Sequence, residues 1–400
     1  MFTYNPHCQL NKPTNKLNYL EGVRGLAAFI VLITHLKIIL SIDLKIETLQ
    51  YFISISHSTI VGKMLNSFVE IIFDGKLAVQ VFWFMSGYVI SIKLFSAGGN
   101  DYLLSAIIKR YFRLAIPALG SVLLVYGLLK FGLMYNTALD DNLGEKYRGW
   151  STVYDIKPNF FNALRSGLWD SFFNFKHKGS YNPILWTMTP ELYGSFFCFF
   201  LFAVFKTRRG RYFIYSAIAL IALFIEYYWL VTFILGFFLC DIDHTENGLK
   251  KIVHWIAKHI FLKWYYVFGI VLILIFINGF GQTFYSAYAG ILVSAVGIFM
   301  IINSNGLRRL FQHKILVWLG KISFSLYLIH LPIICSLSCY LLLNLGFGYF
   351  YNGLISVAVS MVFILFAAAL FTKWVDSPAV IFSNWFAKFI LTFFNNAQKK

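Results

Sequence analysis

The chain has 400 residues, of which 59% are hydrophobic and only 13% charged, with a mean hydropathy of +0.69. Soluble domains carry about a quarter charged residues, so too little polar surface exists here for a water-soluble globule, and secreted, disordered and nucleic-acid-binding classes are excluded. The net charge of +17 fits a membrane protein whose Lys and Arg gather in cytoplasmic loops.

The expected fold class is all-α, a polytopic transmembrane helical bundle in a lipid bilayer. The segment before Glu21 is too polar for a cleaved signal peptide, so the first apolar run reads as a retained anchor. Apolar stretches near 22–42, 70–92, 114–134, 184–205, 212–227, 229–240, 265–280, 284–302, 315–342 and 353–372 give about ten spans. Glu226 interrupts the run from 212 to 240, which fits two short spans or one long tilted helix with a re-entrant piece. With the N-terminus inside, TRRGR at 207–211, LKK at 249–251 and LRRLFQHK at 307–314 all fall on the inner side, so both termini are expected in the cytoplasm. The expected organisation is a cytoplasmic tail over 1–21, a transmembrane domain over 22–372 and a cytoplasmic tail over 373–400.

Two connections are long, 136–183 and 241–264. The first, outside, is rich in Trp, Tyr and Asp, a composition that suits either stacking on sugar rings or an interfacial aromatic belt. The second contains GLKKIVHWIAKHIFLKW, whose basic and apolar residues alternate at helical spacing, as in a helix lying in the headgroup plane. The five cysteines form no CxxC pair, so neither a disulfide framework nor a metal site is expected.

Ionisable groups inside spans cost about 2.5–3.5 kcal/mol each at a helix centre, which makes them functional candidates. Arg24 and His35 share the first span and lie eleven residues apart, about 20° off one face with ~16 Å of rise between them. Glu21 falls on the same stripe. A cationic mouth suits an anionic ligand, and a deep imidazole suits proton transfer; a snorkelling arginine and a packed histidine are the structural alternatives. Arg110 and Arg113 form a second basic pair at KRYFRLAIP, suited to phosphate oxygens or simply to topology. In PILWTMTPELYGSFF, Pro190 and Gly194 bracket Glu191, placing a carboxylate at the expected depth of His35. Tyr327 and His330 share a face of LGKISFSLYLIHLPI with Ser323 and Ser325 a turn earlier, and Ser86 lies in FWFMSGYVIS; interhelical packing or a polar lining explains either block.

Taken in order, YLEGVRGLAAFIVLITHL, VFWFMSGYVIS, KRYFRLAIPAL, LWTMTPELYGSFF and LGKISFSLYLIHLPI resemble the blocks of the acyltransferase-3 family of integral membrane acyltransferases. The chain departs from the family in carrying Glu21 where many members have aspartate, and TPELYGSF in place of a SVEW-type string. It is also too short for the SGNH-type esterase domain that some relatives add. The resemblance implies an O-acyltransferase in the plasma (inner) membrane. It would move an acyl group, usually acetyl, from cytoplasmic acyl-CoA to a hydroxyl of a glycan or lipid-linked glycan, as in modification of a cell-envelope polysaccharide. It further implies His35 as base, Glu191 as its orienting carboxylate, and Arg24, Arg110 and Arg113 as contacts to CoA phosphates. Ser86, Trp186, Tyr327 and His330 would serve as substrate or oxyanion contacts; transfer through an acyl-histidine, and assembly as a homo-oligomer, stay open. Acylation of a lipid or small metabolite is the alternative acceptor, and a transporter or flippase of an anionic solute is the rival class.

Overall fold

In a computed structural model the described residues are 18–43, 74–97, 100–143, 153–245, 248–256, 259 and 285–397. Among them all regular structure is helical. In chain order the helices are α1 (Asn18–Asp43), α2 (Gly75–Ala97), α3 (Asn100–Lys130), α4 (Asn136–Leu143), α5 (Phe160–Arg165), α6 (Met188–Phe205), α7 (Arg211–Phe224), α8 (Tyr228–His244), α9 (Gly248–Ile256), α10 (Tyr285–Asn303), α11 (Asn305–Phe311), α12 (Lys314–Ile333), α13 (Cys339–Asn344), α14 (Tyr349–Phe371) and α15 (Ser377–Ala397).

Six described helices or helix runs are long and apolar enough to cross a bilayer, and the pair α10–α11, bent by 101°, makes a seventh. The run from 212 to 240 resolves into two short antiparallel helices. They reverse at Glu226, which adopts φ +61, and Arg211 at the start of α7 forks onto Asp241 near the end of α8 at 2.6 and 2.9 Å. The span expected at 265–280 lies outside the described residues. Residues 349–397, which include most of the sequence-expected tail, form α14 and α15 joined by a π turn at Thr372–Asp376, and α15 packs along α3.

The core of the bundle is α1 against α12 and α2 against α8, and glycine makes both approaches possible. A Cβ on Gly25 would lie 2.5 Å from the Gly320 amide, and one on Gly320 would lie 2.6 Å from the Glu21 carbonyl carbon. Gly236 faces the Tyr88 amide in the same way at 2.9 Å. Without a hydrophobic driving force between helices in lipid, such backbone-close packing supplies the association energy.

Charge sorts to one end. The start of α1 lies against α11, with Arg308 over the Tyr19 ring, and Tyr88 donates to Asp243 at 2.9 Å beside it. Arg24, Arg208, Arg211, Arg308 and Lys314 therefore share the end that the positive-inside rule assigns to the cytoplasm.

The connection expected as an outer loop is partly intramembrane. It enters at Val153, held by Asn136 at 2.6 Å, then descends along α3: Phe160 packs on Tyr126 and Phe172 on Tyr111. Those tyrosines are fifteen residues apart on one helix, so the excursion reaches about 22 Å down the bundle. Gly167 allows it, since a Cβ there would stand 2.8 Å from the Leu119 Cα. The segment falls below spanning length, which is why hydropathy alone does not reveal it.

Gly320→Val is expected to wedge α1 from α12 and to lower stability by about 1–3 kcal/mol. Gly127→Ala, with nothing within 4 Å, is expected to be neutral or to gain up to about 1 kcal/mol in helix propensity. Thermal unfolding in detergent compares them; equal midpoints would contradict the packing.

Candidate active site

The two histidines expected on separate spans meet. His35 Nδ1 lies 2.9 Å from the Val31 carbonyl and 3.3 Å from His330 Nε2, and the rings stand edge to face at 4.8 Å. His330 is 1% exposed, and its Nδ1 lies 3.1 and 2.7 Å from the Leu326 and Tyr327 carbonyls. A carbonyl accepts only, so each Nδ1 carries the proton. His330 Nε2 is then a lone-pair acceptor for the shared His35 Nδ1–H, and His35 Nε2 is left as a bare base. Among the described residues nothing donates to that nitrogen.

One layer toward the inner end, Glu191 sits in the first turn of α6. It accepts from Ser86 Oγ at 2.6 Å and from the Arg110 guanidinium, with both charged side chains 15% exposed. Glu191 thus pairs with Arg110, and no hydrogen bond joins it to His35 among the described residues. Arg113 does not share a ligand face with Arg110: it pairs with Asp376 of the π turn and lies over Phe324 at 5.5 Å. Arg24 is the more open arginine, 32% exposed and 3.2 Å from Glu21.

The 3₁₀ turn Pro183–Thr187 closes the outer side. Pro332 has no N–H to offer the carbonyl of Leu328, and Asn182 Nδ2 supplies one at 2.9 Å. Tyr327 OH donates to Ile184 O at 2.9 Å and accepts from Thr187 at 3.0 Å. Of the four groups expected to contact substrate, three are occupied: Ser86 by Glu191, Tyr327 by the turn and His330 by backbone and His35. Trp186, packed edge-on against Trp83 at 5.7 Å, is the one whose ring N–H meets no acceptor among the described residues.

Sequence reasoning missed Asp376, Asn182 and Thr187. Asp376 carried a signal, an acid directly after an apolar run; the other two are ordinary loop residues until the turn is placed.

A family model described as an acyltransferase domain matches residues 17–374. The chain is 22% identical over 391 residues to O-acetyltransferase PaAT-1 of Phomopsis amygdali, covering 84% of this chain and 76% of that protein. It is 25% identical over 223 residues to acyltransferase clz18 of Cochliobolus lunatus, covering 44% of this chain and 46% of the relative. No solved structure matches.

Glu191→Gln is expected to strand the Arg110 charge in the bundle and cost about 3–5 kcal/mol. Adding Arg110→Met is expected to restore most of the loss. Thermal midpoints of the two single variants and the double variant report the coupling; strictly additive losses would contradict the pair.

Proposed function

We propose a function on the premise that the chain belongs to the acyltransferase-3 family and is a membrane acyltransferase: it moves an acyl group, acetyl in the simplest case, from cytoplasmic acyl-CoA to a hydroxyl of a sugar or surface-polysaccharide precursor. The observation that carries the mechanism is the bare Nε2 of His35, fixed by the carbonyl-held tautomers of two facing histidines. Both relatives are acyltransferases by name, and one is an O-acetyltransferase, which supports oxygen as the acceptor atom.

The donor enters at the inner end, where Arg24 meets its phosphates. Further in, Arg113 acts through Asp376 and Arg110 through Glu191. The pantetheine arm then carries the thioester up to His35, about 16 Å above Arg24 along α1. His35 Nε2 takes the proton of the acceptor hydroxyl as its oxygen attacks the thioester carbon. The Trp186 N–H steadies the oxyanion. The C–S bond breaks, and the imidazolium returns the proton to the departing thiolate. His330 acts as a positioning residue, since its Nε2 holds the His35 ring.

An apolar groove of about 630 Å³ lined by Thr189, Pro190, Tyr193, Phe197, Tyr227 and Trp229 borders the first turns of α6. It favours, as a second reading, an acceptor with a lipid portion. The plasma (inner) membrane is the proposed location.

His35→Ala is expected to lower transfer by about 10²–10⁴-fold with insertion into the membrane unchanged. Arg24→Ala is expected chiefly to raise the donor KM, by about tenfold. Labelled acetyl-CoA, incubated with protein in nanodiscs and a glycan and lipid extract, measures both; undiminished transfer by His35→Ala would sink the assignment of the base.

A further inference from the structure

The intramembrane excursion of 153–183 holds a polar cleft of about 420 Å³ that the proposed chemistry does not use. Lys157, Arg165, Lys176 and Lys178 line it, with Ser171 and Asp170 among the other polar residues. Asp170 is bound to Arg165 at 3.2 Å. Among the described residues, none of the three lysines has a carboxylate within ion-pair reach. The cleft therefore holds a net positive charge of about three, four cations against one carboxylate.

Its position gives those charges meaning. The cleft lies between the two limbs of the excursion, which runs along α3 from Tyr126 to Tyr111. The walls are also built rather than loose. Tyr181 OH accepts from the Asn159 amide at 2.8 Å and donates to the Asn159 carbonyl at 2.9 Å.

The cleft is wired to the site at three points. Thr189, two residues before Glu191, donates to the carbonyl of the lining residue Ser171 at 3.1 Å. Tyr111, beside Arg110, donates to the Leu168 carbonyl. Ser180 and Tyr181 lead directly into the Pro183–Thr187 turn that holds Tyr327.

We propose that this cleft is the acceptor subsite and that it takes the anionic part, a phosphate or carboxylate, of a hydroxyl-bearing acceptor. The word acceptor rests on the acyltransferase reading; the anion site itself does not. The lysines fix the anion by charge-assisted hydrogen bonds, which sets the acceptor's hydroxyl toward Trp186 and His35. A volume of this size admits a phosphorylated monosaccharide. An anionic headgroup of a lipid-borne acceptor carries the same chemistry.

The test uses the full chain in phosphatidylcholine nanodiscs, with labelled inorganic phosphate as probe, and compares wild type with the exposed-residue double variant K176Q/K178Q. Wild type is expected to bind phosphate and the variant to bind it at least about tenfold more weakly, the loss expected for one charge-assisted hydrogen bond. Acetyl-CoA binding should be equal in both. Phosphatidylglycerol nanodiscs distinguish the source: competition there, lost in the variant, assigns a lipid headgroup, and its absence assigns a soluble anion. Wild type and variant alike in both disc types would overturn the cleft proposal. Failure of acetyl-CoA to bind wild type, with phosphate binding still sensitive to the lysines, would instead sink the acyltransferase reading and leave the anion site standing.

Discussion

The structure depends on how closely α1 approaches α12. Glycines at 25 and 320 let backbone meet backbone, and that separation is what brings an imidazole from each helix within hydrogen-bond distance. His35 and His330 each sit four residues after a carbonyl they engage, Val31 and Leu326. Each ring is thus set by its own helix, and the packing only has to bring the helices into register. A bulky residue at the glycine contacts would move the histidines apart before it disturbed either helix. The reactive geometry is therefore a product of packing, with the chemistry of the rings determined locally.

Around that pair the bundle tolerates charge by cancelling it between helices. Arg110 with Glu191, Arg113 with Asp376 and Arg211 with Asp241 each join residues distant in sequence. Removing one partner leaves an uncompensated ion in a medium that cannot solvate it, so each pair also acts as a register clamp. Arg110–Glu191 fixes α6 against α3, and Arg113–Asp376 ties the start of α15 to α3. Arg211–Asp241 closes the α7–α8 hairpin. Arg24, 32% exposed beside Glu21 at the mouth, and the lysines of the cleft are open to a ligand.

Much of the candidate site was legible in the sequence because lipid makes polar residues conspicuous. His35, Glu191, Arg110, Tyr327 and His330 all announced themselves as polar groups in apolar runs, and the spacing of Arg24 and His35 on one face follows from helical geometry alone. Partner choice was not legible. Which carboxylate faces which base depends on helix register, so Glu191 was expected at His35 and stands instead against Arg110 and Ser86. The phosphate fork expected of Arg110 and Arg113 gave way to two internal pairs for the same reason, since Asp376 lies 263 positions from Arg113. The re-entrant excursion was hidden by its length: FFNALRSGLWDSFF is apolar enough to enter the bundle and too short to register as a span. Glu226, by contrast, marked the break between α7 and α8 correctly, because a charged residue in left-handed backbone belongs at a reversal.

The claim on which the account turns is that His35 presents a bare Nε2. Nitrogen-15 NMR of the histidine-labelled protein in lipid at neutral pH, with the His35 signal assigned by its loss in His35→Gln, reads that tautomer directly. The account predicts His35 protonated at Nδ1 and unprotonated at Nε2, with His330 in the same tautomer. A proton on His35 Nε2 with Nδ1 bare would contradict it.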